Sequence, residues 1–93
     1  MKALIQVEKQ AGDRYRVTVS EAGSRTSHLV TGQPDYCQKL TGGRVSPETL
    51  VQASFEFLLA RESKESILRE FDLPVIARYF SEYEDEIKKR LAG

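Results

Sequence analysis

Cysteine and histidine each occur once in these 93 residues, as Cys37 and His28. A single cysteine excludes a disulfide framework and fits a reducing compartment. One histidine and one cysteine cannot supply the three or four protein ligands of a zinc site without carboxylates at ligand spacing, and that spacing is absent. A Cys–His nucleophile pair would need the two side chains in hydrogen-bond contact and a third group to orient them. His28 as a strand residue and Cys37 as a small apolar filler is the plainer assignment. Also missing is any apolar run approaching the roughly 18 residues that a membrane span requires. The opening MKALIQVEKQ has no secretory h-region, because Gln6, Glu8 and Lys9 interrupt it. A cytoplasmic protein without membrane contact is expected. Excess charge of one sign is lacking too: 14 Lys and Arg balance 14 Asp and Glu. That balance argues against general nucleic-acid binding. No catalytic residue, metal or cofactor is assigned.

What is present is strong local patterning. From Lys2 to Ser20 the apolar residues alternate: Ala3, Ile5 and Val7, then Tyr15, Val17 and Val19. Between the two runs, Gln10-Ala11-Gly12-Asp13 carries turn chemistry, so a β-hairpin is expected with Tyr15 facing inward and Arg16 facing solvent. Glu21 to Ser24 is a second turn and Arg25 to Thr31 a third strand, in which the adjacent Leu29 and Val30 cannot share a face. Pro34 opens a short helix over 34–41 that Gly42 and Gly43 end, one of them as a left-handed cap.

The clearest helix follows, over 46–61. Ser46 is its N-cap, Pro47 stands at the first helical position, and Glu48 favours the positive end of the dipole. Leu50, Val51, Phe55, Phe57, Leu58 and Leu59 cover about half of its circumference at roughly 100° per residue. A helix so apolar is packed on two sides, as the central beam of the core. Residues 64–91 read as C-terminal helices. Ile67, Leu68 and Phe71 form one apolar face; Val75, Ile76, Tyr79, Phe80, Tyr83, Ile87 and Leu91 stay in helical phase beyond Pro74. A capping box at Ser81 and Glu84 favours a fresh start at residue 82, whereas the unbroken phase favours a single helix over 74–91. The order of charges near the end also allows the i,i+4 pairs Glu84–Lys88 and Asp85–Lys89.

Three segments invite functional readings. LTGGRVSPE, Leu40 to Glu48, sets two glycines before a helix N-terminus, but Pro47 removes an N–H and Glu48 repels an anion, so it reads as a connector. Ile67 to Phe80 has the outline of a helix-turn-helix. Its second helix would open on apolar residues and run into Glu82, Glu84, Asp85 and Glu86, which phosphates repel. Arg14, Arg16 and Thr18 could form a basic hairpin face, although Tyr15, the aromatic beside them, faces the other way. The C-terminal stripe offers more apolar surface than a small domain covers. Tyr79, Tyr83 and Ile87 are therefore the expected contact with a protein partner or a second copy.

The run LTGGRVSPETLVQASFEFLLARES followed by SILREFDLPVIARYF resembles a group of short uncharacterised bacterial proteins over residues from about Tyr15 onward. The resemblance implies a bacterial, cytoplasmic protein and brings no activity, cofactor or catalytic residue. The order of strands then helix is also similar to HicB-type antitoxins. Their Asp-Leu-Pro-Gly-Cys signature after the sheet is absent, and Asp72-Leu73-Pro74 lies at the wrong end of the chain, so antitoxin function is not transferred.

The expected fold is α+β, a single domain over 1–93: an antiparallel meander of two or three strands over 1–31, with four or five helices on one face. A hairpin arm on a mainly helical body is the alternative. The expected function is a non-enzymatic binding or regulatory domain acting through a protein partner. Nucleic-acid binding by the Arg14–Arg16 face is the second reading.

Overall fold

A computed structural model of the chain describes residues 3–92. Strands β1 (Leu4–Lys9), β2 (Arg14–Glu21) and β3 (Ser24–Thr31) are followed by helices α1 (Pro34–Thr41) and α2 (Pro47–Leu59). A 3-10 turn at Lys64–Ser66 then leads into strand β4 (Glu70–Asp72) and helices α3 (Pro74–Tyr79) and α4 (Tyr83–Ala92). The radius of gyration, 12.4 Å, is what one compact domain of this length gives, about 12 Å. The strand pattern that begins at Lys2 starts outside the described residues, as do Met1 and Gly93.

The hairpin forms as its alternation dictates. Val7 stands opposite Val17 and Ile5 opposite Val19, while Tyr15, Val17 and Val19 are buried and Arg14 and Arg16 exposed. The β2–β3 turn is two residues long, with Glu21 opposite Ser24 and both Ala22 (φ 56°) and Gly23 (φ 80°) left-handed. That is the type I′ geometry which matches strand twist. Leu29 and Val30 do point to opposite faces: Val30 is in the core, and Leu29 is half-buried on the outer face.

The sheet has four strands in the order β1-β2-β3-β4, with β4 parallel to β3. A helix was expected at Ile67 to Phe71, and this is corrected to an extended segment ending in β4. The chain returns to the sheet after two helices, and three contacts besides the β3–β4 ladder help to hold it there. Leu29 N–H donates to the Arg69 carbonyl (2.7 Å), Leu73 N–H donates to the Thr31 carbonyl (3.0 Å), and the His28 ring meets the Leu68 carbonyl (2.8 Å). Among the described residues, the meander of two or three strands is thus a mixed sheet of four, and the helical part comprises four α-helices.

Helix α2 is the beam. The Ser46 hydroxyl accepts a hydrogen bond from Thr49 N–H (3.2 Å), and Pro47 opens the first turn. Phe55 and Phe57, about 200° apart around the axis, serve opposite sides. The Phe55 ring lies 5.3 Å from that of His28 and 6.1 Å from Phe71 on the sheet side. Phe57 meets Phe80 at 5.8 Å and Tyr83 at 5.3 Å edge-on. The helices lie on this one face of the sheet; the other face is the exposed one.

Residues 74–91 form two helices, since Phe80 is extended (φ −132°, ψ 98°). The apolar phase survives the break because both helices rest on the same core. The capping box does not form: α4 starts at Tyr83, with Glu86 N–H donating to the Glu82 carbonyl. Glu84 instead accepts a hydrogen bond from the Tyr36 hydroxyl (2.7 Å) and pairs with Lys39 (3.8 Å). Neither Glu84–Lys88 nor Asp85–Lys89 is among the ion pairs of the described residues.

Candidate functional site

The expected contact residues separate. Tyr83 and Ile87 are fully buried and offer no surface, so their assignment to a partner contact is corrected to the core. The stripe is covered because α4 packs on both α1 and α2. The Tyr83 hydroxyl is also satisfied, 2.7 Å from the Ser54 Oγ, which itself donates to the Leu50 carbonyl at 2.8 Å. Since the Ser54 proton is committed to Leu50, Tyr83 is the donor of the shared bond. Burial pushes the Tyr83 phenol well above its ordinary range. Tyr79, by contrast, is 69% exposed.

His28 and Cys37 are both buried. The His28 Nδ1 lies 2.8 Å from the Leu68 carbonyl, which can only accept, so Nδ1 carries the proton in the neutral ring. Nε2 then accepts from the Thr26 hydroxyl, also at 2.8 Å. Both ring nitrogens are used by groups other than Cys37, and burial holds the His28 pKa below its ordinary value. Burial likewise raises that of the Cys37 thiol, which disfavours the thiolate a nucleophile needs. Among the described residues, no three His, Cys, Asp or Glu side chains converge as a metal set.

Arg14 and Arg16 lie exposed on the outer face, but the register places acids in the same rows. Arg16 stands between Glu8 on β1 and Leu29 on β3, and Leu29 pairs in turn with Glu70. Arg14 pairs with Thr31, whose other neighbour is Asp72. A phosphate backbone would meet carboxylates as often as guanidinium groups there. The LTGGRVSPE segment is a connector, with Gly42 (φ 65°) as the left-handed cap of α1. The helix-turn-helix outline at Ile67 to Phe80 loses its first helix to β4.

A concave apolar surface lies elsewhere. The end of α2, the segment leading into β4, and α3 enclose a cleft of about 230 Å³. Its floor is Leu58, Ile67, Phe71 and Ile76, all buried; its lips are the half-buried Val75 and Phe80 and the exposed Leu68 and Tyr79. Leu68 is 48% exposed. The polar lining is Ser66 and Glu62, and desolvation raises the pKa of the Glu62 carboxyl. Of the expected contact residues only Tyr79 belongs here. Leu68 was hidden by the helical reading of 67–71, and Glu62 by its place between the helices expected over 46–61 and 64–91. An extended backbone turns Leu68 away from Ile67 and out to solvent. No family model, curated protein or solved structure matches the chain.

Proposed function

We propose that this is a non-enzymatic binding or regulatory domain acting in the cytoplasm through a protein partner, and that the partner docks in the cleft beneath Leu68 and Tyr79. The observation that carries this reading is the pairing of a concave apolar floor with two large, exposed apolar side chains at its lip. Aromatic anchors in and around such concavities dominate many protein interfaces. The lone, buried Cys37 supports a reducing compartment. The acids interleaved with Arg14 and Arg16 weigh against the nucleic-acid reading.

The test is comparative capture from the host by the wild-type chain, by Leu68→Ser/Tyr79→Ser, and by Arg14→Ser/Arg16→Ser. A specific protein should be retained by the wild type and the arginine variant and lost by the cleft variant. Loss from the arginine variant alone, accompanied by nucleic acid in the wild-type capture, would transfer function to the outer face.

A further inference from the structure

The Glu62 carboxylate is out of place in an apolar wall. It makes no hydrogen bond or ion pair among the described residues, although cations stand on either side of it in the chain. Both are committed elsewhere. The Arg61 guanidinium lies 3.7 Å over the Phe57 ring, donates to the Glu82 carboxylate at 3.3 Å and reaches the Phe57 carbonyl at 3.2 Å. The Lys64 ammonium, whose side chain is buried, bonds the Glu65 carboxylate at 2.8 Å. Glu62 is left as the one charged group lining the cleft among the described residues. A partly desolvated carboxylate without a partner costs free energy that an incoming cation would recover. The size of the cleft fixes the other half of the ligand. About 150 Å³ accommodates a benzene ring, so 230 Å³ takes one aromatic or large aliphatic side chain and little more.

We propose that the cleft receives a peptide segment of the partner that presents one large apolar side chain beside a lysine or arginine, the ring or chain filling the apolar floor and the cation pairing with Glu62. This rests on the reading of the cleft as a docking site. The chemistry is directional: an acidic neighbour to the anchor is rejected by the same carboxylate that attracts a basic one.

The probes are three capped dipeptides, acetyl-Phe-Lys-amide, acetyl-Phe-Gln-amide and acetyl-Phe-Glu-amide, with phenethylammonium as a free amine. Each is titrated at neutral pH into the 15N-labelled full chain while the amides of Glu62, Leu68 and Tyr79 are followed. The lysine peptide should bind about fivefold more tightly than the glutamine peptide, as an exposed ion pair allows, and the glutamate peptide least. In Glu62→Gln the lysine preference should vanish while the glutamine peptide still binds. Equal binding of all three peptides, or a preference that survives Glu62→Gln, overturns the cation selection and leaves the docking cleft standing. Binding of phenethylammonium without any peptide overturns the peptide assignment. Binding of none overturns the docking reading itself.

Discussion

Replacing Ser54 by alanine removes the hydrogen-bond partner of a phenol that has no access to water. Tyr83 donates to the Ser54 Oγ at 2.7 Å from inside the core, and Ser54 passes its own proton to the Leu50 carbonyl. In Ser54→Ala the Tyr83 hydroxyl is stranded, at a cost of about 1–3 kcal/mol. Alanine returns about 0.5 kcal/mol through its better helix propensity, so the net loss is about 0.5–2.5 kcal/mol by this reckoning. Tyr83→Phe strands no donor, because Ser54 keeps its bond to Leu50; the loss is about 0.5–1.5 kcal/mol. The double variant removes both groups together. It should be no less stable than Ser54→Ala alone, with a coupling of about 1 kcal/mol between the sites. Urea denaturation of the four proteins measures this, provided that the m-values agree. Effects that add to within about 0.3–0.5 kcal/mol would show that the two hydroxyls do not meet, and the burial of Tyr83 would then need another explanation.

Four further outcomes are expected. Phe55→Ala, in the middle of the beam, should lose about 3–5 kcal/mol in denaturant titration; a loss within about 1 kcal/mol would place it outside the core. His28 has a folded pKa below that of the unfolded chain, so its contribution to stability is complete above about pH 6.5 and falls on acidification until the folded pKa is passed. Denaturant midpoints across neutral to mildly acidic pH should therefore drop more steeply for the wild type than for His28→Gln. Ala22 is a non-glycine residue at φ 56° in a type I′ turn, so Ala22→Gly should stabilise the hairpin by about 0.5–1 kcal/mol, read as a raised urea midpoint. Gly42→Ala meets no atom within 4 Å, yet its φ of 65° makes the strain conformational. It should lose about 1 kcal/mol in the same assay.

What could be read from the chain was what is locally encoded. The hairpin, the Ser46–Pro47 start of α2 and the glycine stop after α1 each rest on neighbouring residues, and each forms. Strand β4 could not be read that way. It has three residues with only Phe71 turned inward, too short to show a period, and its conformation is fixed by Leu29, Thr31 and His28 far back in the chain. Ile67 and Phe71, four apart, imitate a helical face. Tyr83 misled for a different reason. A phenol in a C-terminal stripe favours an interface unless its hydroxyl has a buried acceptor, and Ser54 on α2 becomes that acceptor only once the helices are docked. The cleft inherits the first error, since Leu68 leads into β4, and Glu62 fell between the helices expected over 46–61 and 64–91.

The seam between β3 and β4 also implies an order of folding that hydrogen exchange can read. The three-stranded meander closes through neighbouring turns, whereas the bond from His28 to Leu68 spans 40 residues, with α1 and α2 between its ends. Distant closure of this kind is entropically costly, so β4 is expected to dock near the end of folding and to detach early in partial unfolding. Amide hydrogens that bridge the seam, those of Leu29 and Leu73, should accordingly exchange with solvent through a smaller opening than the central amides of β2. The same detachment pulls Phe71 from the cleft floor and Leu68 from its lip. A ligand held there would act as a latch on the last piece of the chain to arrive, slowing exchange at those two amides while leaving the meander at its own pace.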